Sequence, residues 1–250
     1  MNPAEFKYLD EAEEEMWWFR GMNRLLFGMV DRYVGGSEVK DALEVGCGTG
    51  YLASLLETRR QWRVTGVDLG SEALRFARRR LHRLVQADLR YLPFPAASFP
   101  VLISMDVIVH LQRGEESHGL QEFWRVLKPN GLMFLRVSAL DILRSRHSEF
   151  AHERQRFTRG RLVRGLRTAG FEVLRCTYMN SLLLPVALLK FRLWEPLTRQ
   201  PPASGVYRYP ALLNRVLEAP LRAESVLLNR GLSLPLGQSL FAVARKPFSP

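Results

Sequence analysis

The sequence predicts an α/β fold, a parallel sheet with helices on both faces. Three observations carry this. From Asp41 onward, short apolar runs of strand length alternate with amphipathic helical stretches, the pattern of successive βαβ units. A glycine-rich turn, Gly46-Cys47-Gly48-Thr49-Gly50, joins the first run to the first helical stretch. Finally, 250 residues with 47% hydrophobic and 24% charged composition suit one packed domain with an elaboration and exclude a disordered or fibrous chain.

Ahead of that core, the first forty residues read as helical. An acidic stretch, Glu5 to Glu15, leads into Met16-Trp17-Trp18-Phe19. From Arg20 to Val34, Leu25, Leu26, Met29, Val30 and Tyr33 recur at helical intervals, and Gly35-Gly36-Ser37 ends the helix. The aromatic cluster suits a helix packed on the domain or a lid over a pocket.

Strands are expected at 42–45, 63–67, 84–87, 101–105, 132–137, 171–176 and 239–244, each an apolar or alternating run bounded by turn residues. Helices are expected between them at 51–58, 71–81, 119–127 and 161–169. Lys128-Pro129-Asn130-Gly131 stops the third of these helices and Gly170 the fourth. Between the last two strands, 181–189 is apolar but is interrupted at Lys190 and Arg192, too short and too charged to span a bilayer. Gln200 to Gly205 is a loop, and 210–229 is helical and amphipathic again. This stretch reads as a helical insertion and not as a second domain.

Composition narrows the function classes. Two cysteines, Cys47 and Cys176, make neither a disulfide framework nor a structural zinc site, so no metal is expected. A reducing, cytoplasmic location is expected, since the acidic start has no apolar signal segment. The formal net charge of +11 and pI near 10.2 invite a nucleic-acid or anionic-membrane partner.

The chemistry concentrates at strand ends. Glycines between a strand and a helix let the backbone turn sharply and approach a ligand, which the helix N-terminus meets with unpaired N–H groups. A dinucleotide fingerprint needs G-x-G-x-x-G. Here the third glycine comes one place early, and Tyr51 takes its position. Glu44, ahead of the first glycine, suits an amino-bearing ligand better than a pyrophosphate. Asp68 ends the second strand, where a carboxylate can accept both hydrogen bonds of a ribose diol. Asp88, after the third strand, can meet an adenine amino group. Each acid alone can equally cap the next helix; three at successive strand ends around one glycine loop point to a site.

These segments resemble the class I S-adenosylmethionine-dependent methyltransferases, in the group that includes ubiquinone/menaquinone and small-molecule methyltransferases. ALEVGCGTGYLA resembles the family's first motif, VTGVDLGSEAL the second, QADLRYLPFPAASF the third and VLISMDVIVHL the fourth; EFWRVLKPNGLMFLRV follows. The similarity is close over Asp41 to Val137 and weaker through GRLVRGLRTAGFEVLRC and SLPLGQSLFAVARKP. It implies a Rossmann-like seven-stranded sheet with the seventh strand antiparallel, between the fifth and sixth. It implies S-adenosyl-L-methionine as cofactor, with Gly46, Cys47, Gly48, Thr49 and Gly50 against its methionine part and Glu44 near its amino group. Asp68 is then placed on the ribose, Leu69 on the adenine, Asp88 at the adenine N6 with Leu89 beside it, and Met105 and Asp106 at the methyl-donor end. The implied domain plan is a helical cap over 1–40, a cofactor-binding core over 41–180, a helical insertion over the acceptor side at 181–233, and a last strand within 234–250. The chain departs from the family at Pro100, where relatives often carry Asp, at Val109, where they often carry Glu, and at Met22, where some carry an arginine that grips the cofactor carboxylate. Arg20 or Arg24 is the candidate substitute.

Methyl transfer from a sulfonium is an in-line displacement, so the protein's part is alignment in a dry pocket, an orientation effect of about 7–11 kcal/mol. His110 follows the fourth strand and is the candidate general base for a hydroxyl acceptor, expected to titrate near neutrality. A buried histidine bonded to backbone is the competing reading. His147 and His152 can reach the same mouth, and Cys47 reads as packing. The place after the fourth strand reads Ser104-Met105-Asp106-Val107, without the Asn/Asp-Pro-Pro-aromatic of amino-methylating DNA enzymes or a nucleophilic cysteine. The expected reaction is therefore methyl transfer to a small-molecule acceptor of quinone-, lipid- or saccharide-like type, O-methylation ahead of C- or N-methylation. Phe191, Trp194, Tyr207 and Tyr209 among the leucines of the insertion suit an amphipathic acceptor or peripheral membrane contact. The alternatives are an RNA or protein methyltransferase using the basic surface and a non-catalytic adenosyl-binding module. Arginines 75, 78, 79, 80 and 83 read as a solvated helix face; those at 144, 146, 154, 156, 159, 161, 164 and 167 border the acceptor side and suit an anionic acceptor or surface.

Overall fold

The computed structural model describes residues 1–35 and 39–248. Seven strands form one sheet: β1 Asp41–Val45, β2 Arg63–Asp68, β3 Leu84–Gln86, β4 Phe99–Met105, β5 Leu127–Ser138, β6 Glu172–Met179 and β7 Ser239–Arg245. Their order is β3-β2-β1-β4-β5-β7-β6. β3, β2, β1, β4 and β5 run parallel, and β7 is antiparallel to both β5 and β6, as the resemblance implies. The chain leaves β1 toward one edge, through β2 and β3, and returns to β4 on the other side. The crevice beyond the ends of β1 and β4 is therefore the topological switch point, where open α/β sheets bind ligands.

The helices are α1 Glu5–Ala12, α2 Trp17–Val34, α3 Tyr51–Arg60, α4 Ser71–Ala77, α5 Glu116–Val126, α6 Arg146–Phe150, α7 Arg159–Thr168, α8 Leu184–Leu189, α9 Glu195–Thr198 and α10 Ala211–Asn229. Buried side chains of α2, α3 and α10 (Leu25, Met29, Leu56, Leu221 and Leu228 among them) pack on one face of the sheet. Leu120 and Phe123 of α5 and Leu162 and Leu166 of α7 cover the other.

Several elements differ from the sequence expectation. The N-terminal stretch is two helices, broken where Met16 turns extended (φ −65°, ψ 129°). α2 closes at Gly35; Gly36 and Ser37, expected to help end it, lie outside the described residues. α4 stops at Ala77. β5 begins at Leu127, so Lys128-Pro129-Asn130-Gly131 is an irregularity inside the strand. Its register on β4 jumps from Phe99↔Leu127 to Val101↔Leu132, and Asn130 enters the left-handed region at φ 61°, an asparagine-tolerant conformation.

α10 is the main surprise of the insertion. It lies against α2 on the sheet face and does not cover the acceptor side. Close approach is possible because α2 carries glycines there: a Cβ on Gly21 would lie 2.5 Å from Leu221 Cδ1, and one on Gly28 2.0 Å from Asn229 Nδ2. Arg20 and Arg24 pair with Glu218 of α10, each at 3.1 Å. They tie the two helices together and do not replace the cofactor-gripping arginine.

Candidate active site

The switch point opens into a cavity of about 410 Å³, bounded by the glycine loop, the ends of β4 and β5, α1, and the loop 203–209. The loop's backbone makes room for it. Gly46, Gly48 and Gly50 all have positive φ (78°, 55° and 78°), where a Cβ is strained. At Gly48 a Cβ would meet nothing nearer than Phe6 at 4.0 Å, whereas at Gly46 it would strike Val107 Cγ2 at 2.1 Å. Gly46→Ala is therefore expected to destabilise the fold by about 2–4 kcal/mol, adding overpacking to left-handed strain. Chemical denaturation measures this, and a loss under 1 kcal/mol contradicts the loop geometry.

Glu44 is buried at the cavity wall. One carboxylate oxygen has no partner, and the Ala53 N–H, in the first turn of α3, donates to the carboxylate. Burial first, then the neighbouring Glu13, push its carboxyl well above the usual range. Glu13 follows α1. It accepts from Thr49 Oγ1 at 2.5 Å, and burial raises its carboxyl to about 7. Arg80 neutralises this corner: it donates to Asp10 Oδ1 at 2.9 Å and to the Thr49 carbonyl at 3.2 Å, and pairs with Glu14. Arg79 also reaches Asp10, at 2.7 Å. Both are expected on a solvated face; Arg79 is indeed mostly exposed, whereas Arg80 clamps α1 to the glycine loop.

Burial raises Glu5 of α1 as well, to about 6, and it accepts from Ser204 Oγ at 3.0 Å. A carboxyl whose folded value exceeds its unfolded one adds stability in full below about pH 4.5, stability that is lost as pH rises through the folded value. Thermal midpoints are thus expected to fall between pH 5 and 7.5, and Glu13→Gln to flatten that slope. Parallel pH curves for the two proteins would contradict the assignment.

Not every expected residue meets the cavity. Glu44, Gly46, Cys47, Gly48, Thr49, Met105 and His110 line it; Gly50, Asp68, Leu69, Asp88 and Leu89 do not. Gly50 instead packs on Ala77 and Leu81. The ring of Phe6 explains part of the division. It is buried in front of Gly48 and Gly70, 3.5 Å from the position of a Cβ on the latter, between the cavity and the end of β2. Asp68 accepts from the Gly48 and Gly70 N–H groups at 3.0 and 2.9 Å and so braces the loop. Leu69 is exposed. Both oxygens of Asp88 are held by Arg90, at 3.0 and 2.6 Å. Leu89 is a core residue under Gly119, where a Cβ would lie 2.2 Å away; burial against α5 takes it out of the site.

The opposite wall is built around Asp106, in the left-handed region at φ 56° at the end of β4. Arg136 of β5 donates to its Oδ2 through Nε and Nη2, at 2.9 and 2.6 Å, leaving Oδ1 buried without a partner. Trp18 lies over that guanidinium at 4.5 Å. His110 Nδ1 lies 3.2 Å from the His152 carbonyl. Since that oxygen only accepts, Nδ1 carries the proton and Nε2 is the free acceptor. Burial lowers the imidazole to about 4, so it is neutral at pH 7 and does not titrate near neutrality as expected. His147 is likewise lowered by burial to about 4, its Nδ1 accepting from the Gly205 N–H. Arg146 supplies positive charge on this side, whereas Arg156 is paired with Glu153 at 2.6 Å and Arg161 with Glu116. Cys47 is buried and its thiol pushed up by that burial, so it packs. Among the described residues no group of three His, Cys, Asp or Glu is placed to hold a metal ion.

Residues 42–131 match the model of a methyltransferase domain family. A probable S-adenosylmethionine-dependent methyltransferase of Mycolicibacterium smegmatis is 32% identical over 165 residues, 64% of this chain and 61% of that protein. The fold agrees with a putative sarcosine dimethylglycine methyltransferase from Galdieria sulphuraria at TM-score 0.61 and 15% identity, covering 90% of this chain and 85% of that one. The chain is thus similar, in its central stretch and in its fold, to S-adenosylmethionine-dependent methyltransferases. A second methyltransferase relative, a fatty-acid O-methyltransferase of Mycolicibacterium smegmatis, is 40% identical over 99 residues, 38% of this chain and 35% of that protein. The chain spans 44–61% of the length of the first curated relatives it matches.

S-adenosylmethionine, the cofactor named for these relatives, suits the cavity on two counts. The unpaired, buried Glu44 oxygen offers an acceptor to an amino group, and the positive φ of Gly46 and Gly48 turns the loop backbone, without side chains, along the cavity wall. Sequence reasoning missed Glu5, Glu13 and Arg80 as parts of this site. An acidic run near a chain terminus and an arginine-rich helix each look solvated until the fold brings them together.

Proposed function

We propose that the protein transfers a methyl group from S-adenosylmethionine to a hydroxyl or carboxylate of an amphipathic small molecule. One observation carries this: a single continuous cavity joins the glycine-loop wall to a second wall of His110, Asp106, Arg146 and Arg156. When bound, S-adenosylmethionine supplies a methyl already activated as a sulfonium substituent. Glu44, Gly46, Gly48 and Thr49 would hold its amino-acid end, and Asp68 its ribose once Phe6 has moved aside. The chain's own work is then placement and exclusion of water. Trp17, Trp18 and Tyr207 give the acceptor half apolar surface, and Arg146 gives an anionic acceptor group its counter-charge. With a hydroxyl acceptor, the Nε2 of neutral His110 accepts the hydroxyl proton as the new bond forms; a carboxylate acceptor has no proton to give up.

The fatty-acid O-methyltransferase relative supports an O-directed reaction on an apolar acceptor. The test is a methyl-transfer screen with labelled cofactor over phenol, quinone, fatty-acid and sugar-nucleotide acceptors, with RNA and a protein lysate as further arms. Activity on one of the small molecules is expected; label entering only RNA or protein, or cofactor binding with no transfer, would overturn the reading. On the preferred hydroxyl acceptor, His110→Gln is expected to lower kcat about 10²–10³-fold. The wild-type profile should show no ionisation between pH 5.5 and 7.5 from this histidine.

A further inference from the structure

From Leu184 to Thr198, after a turn at Leu182 and Leu183, the chain forms one helical rod: α8, a π-helical turn at Lys190–Trp194, and α9. Pro196 accounts for the wide turn, since proline has no N–H for an α-helical bond and its ring clashes with the carbonyl four residues back. The rod has two dissimilar faces. Ala187 and Glu195 are buried. Phe191 and Glu195 line the active-site cavity, and Glu195 Oε2 accepts from the Arg146 N–H at 2.9 Å, pinning the rod to α6. Leu182, Val186, Leu189, Leu193 and Leu197 recur at intervals of four, three, four and four on the other face. With Trp194 beside them they are 51–79% exposed, and no part of the described chain covers them.

The charges around this stripe choose its partner. Residues 181–233 contain seven basic and three acidic side chains. All seven basic ones are exposed, including Lys190, Arg192 and Arg199. The three acids, Glu195, Glu218 and Glu224, are buried, so the segment shows solvent only positive charge. A second copy would bring the same sign, on a chain already at +11. An anionic bilayer offers what the stripe lacks, an apolar layer beneath negative headgroups. Among the described residues no helix is long and apolar enough to cross a membrane; an amphipathic rod of this kind lies along the interface.

We propose that the rod from Leu184 to Thr198 docks the protein on an anionic lipid leaflet, with Val186, Leu189, Leu193 and Trp194 in the acyl boundary and Arg192 and Arg199 at the headgroups. The cavity wall is the reverse side of the same rod, about 10 Å away, one helix diameter. A membrane-dissolved acceptor then reaches the site without crossing bulk water. That last step rests on the proposed methyl transfer; the docking does not, and it is tested without cofactor.

The full-length protein is sedimented with vesicles of phosphatidylcholine alone and with 30% phosphatidylglycerol. Binding to the anionic vesicles is expected, at least tenfold stronger than to the neutral ones and weakened by salt. Tryptophan emission should shift to the blue on binding, and Trp194→Phe should remove most of that shift. Leu189→Ser with Leu193→Ser should weaken partitioning at least tenfold at an unchanged thermal midpoint, because both side chains are already in solvent. Arg192→Glu with Arg199→Glu should remove the preference for anionic lipid. Equal binding of wild type and the leucine variant overturns the proposal, as does the absence of binding. So does a wild-type dimer in sedimentation equilibrium that the leucine variant loses.

Discussion

Glu44→Gln is expected to lower S-adenosylmethionine affinity by about ten- to a hundredfold while leaving the thermal midpoint unchanged or higher. The two effects part because they come from different states of the same group. In the folded protein the carboxyl is buried, has an unpartnered oxygen and is pushed toward the neutral form by burial and by Glu13. An amide of the same shape can keep the Ala53 N–H bond and avoids the cost of a buried charge. A cationic amino group changes this balance, because it draws the carboxyl into its ionised form and gains a charge-assisted hydrogen bond. Such bonds contribute about 1.5–3 kcal/mol, and losing one corresponds to the stated ten- to hundredfold at about 1.4 kcal/mol per decade. Calorimetry in buffers of different ionisation enthalpy reads the mechanism directly. Wild type should release protons on binding around pH 6.5, and Glu44→Gln should release fewer. Equal affinity together with equal proton release would remove Glu44 from the cofactor site.

The second large effect is at Arg80. Its side chain is 17% exposed and touches Asp10, Glu13, Glu14 and the Thr49 carbonyl. Arg80→Ala leaves the buried Glu13 without its cation and the glycine loop without its tie to α1. Breaking a well-buried pair costs about 3–5 kcal/mol. Partial solvent access reduces that here to about 2–4 kcal/mol, or roughly 5–15 °C in Tm for a chain of this length. Arg80→Met, which keeps the stem, should recover only the packing share. Hydrogen exchange should show the loss concentrated in α1, whose amides lose protection before the sheet does. A double-mutant cycle with Asp10→Asn should give a coupling of about 1 kcal/mol or more. Additive effects would mean that the clamp does not exist.

Much of the cofactor half was legible because its signals are local. A strand, a glycine turn and a helix start lie within about a dozen residues from Ala42 to Ala53, so the position of Glu44 and of the loop follows from short-range geometry. The strand-end acids were legible as positions but not as states. Asp88 sits where a strand-end acid should sit, and its carboxylate is nonetheless consumed by Arg90 two residues on. Leu89 reads the same in sequence whether it faces ligand or core; Gly119, thirty residues away, decides it. His110 was legible as a residue of the wall, while its neutral state depends on burial by segments distant in sequence.

By itself, then, the sequence determined the sheet's alternation, the glycine turn, Glu44 and the basic, apolar character of 181–233, all properties of neighbouring residues and their periodicity. Only the tertiary structure decided that α1 closes the site. Phe6 meets Gly70, Asp10 meets Arg80 across seventy residues, and Glu5 meets Ser204 across almost the whole chain. It likewise separated the insertion into a helix that covers the sheet and a rod that faces outward. α10 and the rod are both amphipathic in sequence, and the difference lies in which apolar face finds a partner. Gly21 and Gly28 of α2 admit α10, and nothing in the described chain takes the stripe from Leu182 to Leu197. Periodicity says that a face will be buried; long-range packing says against what.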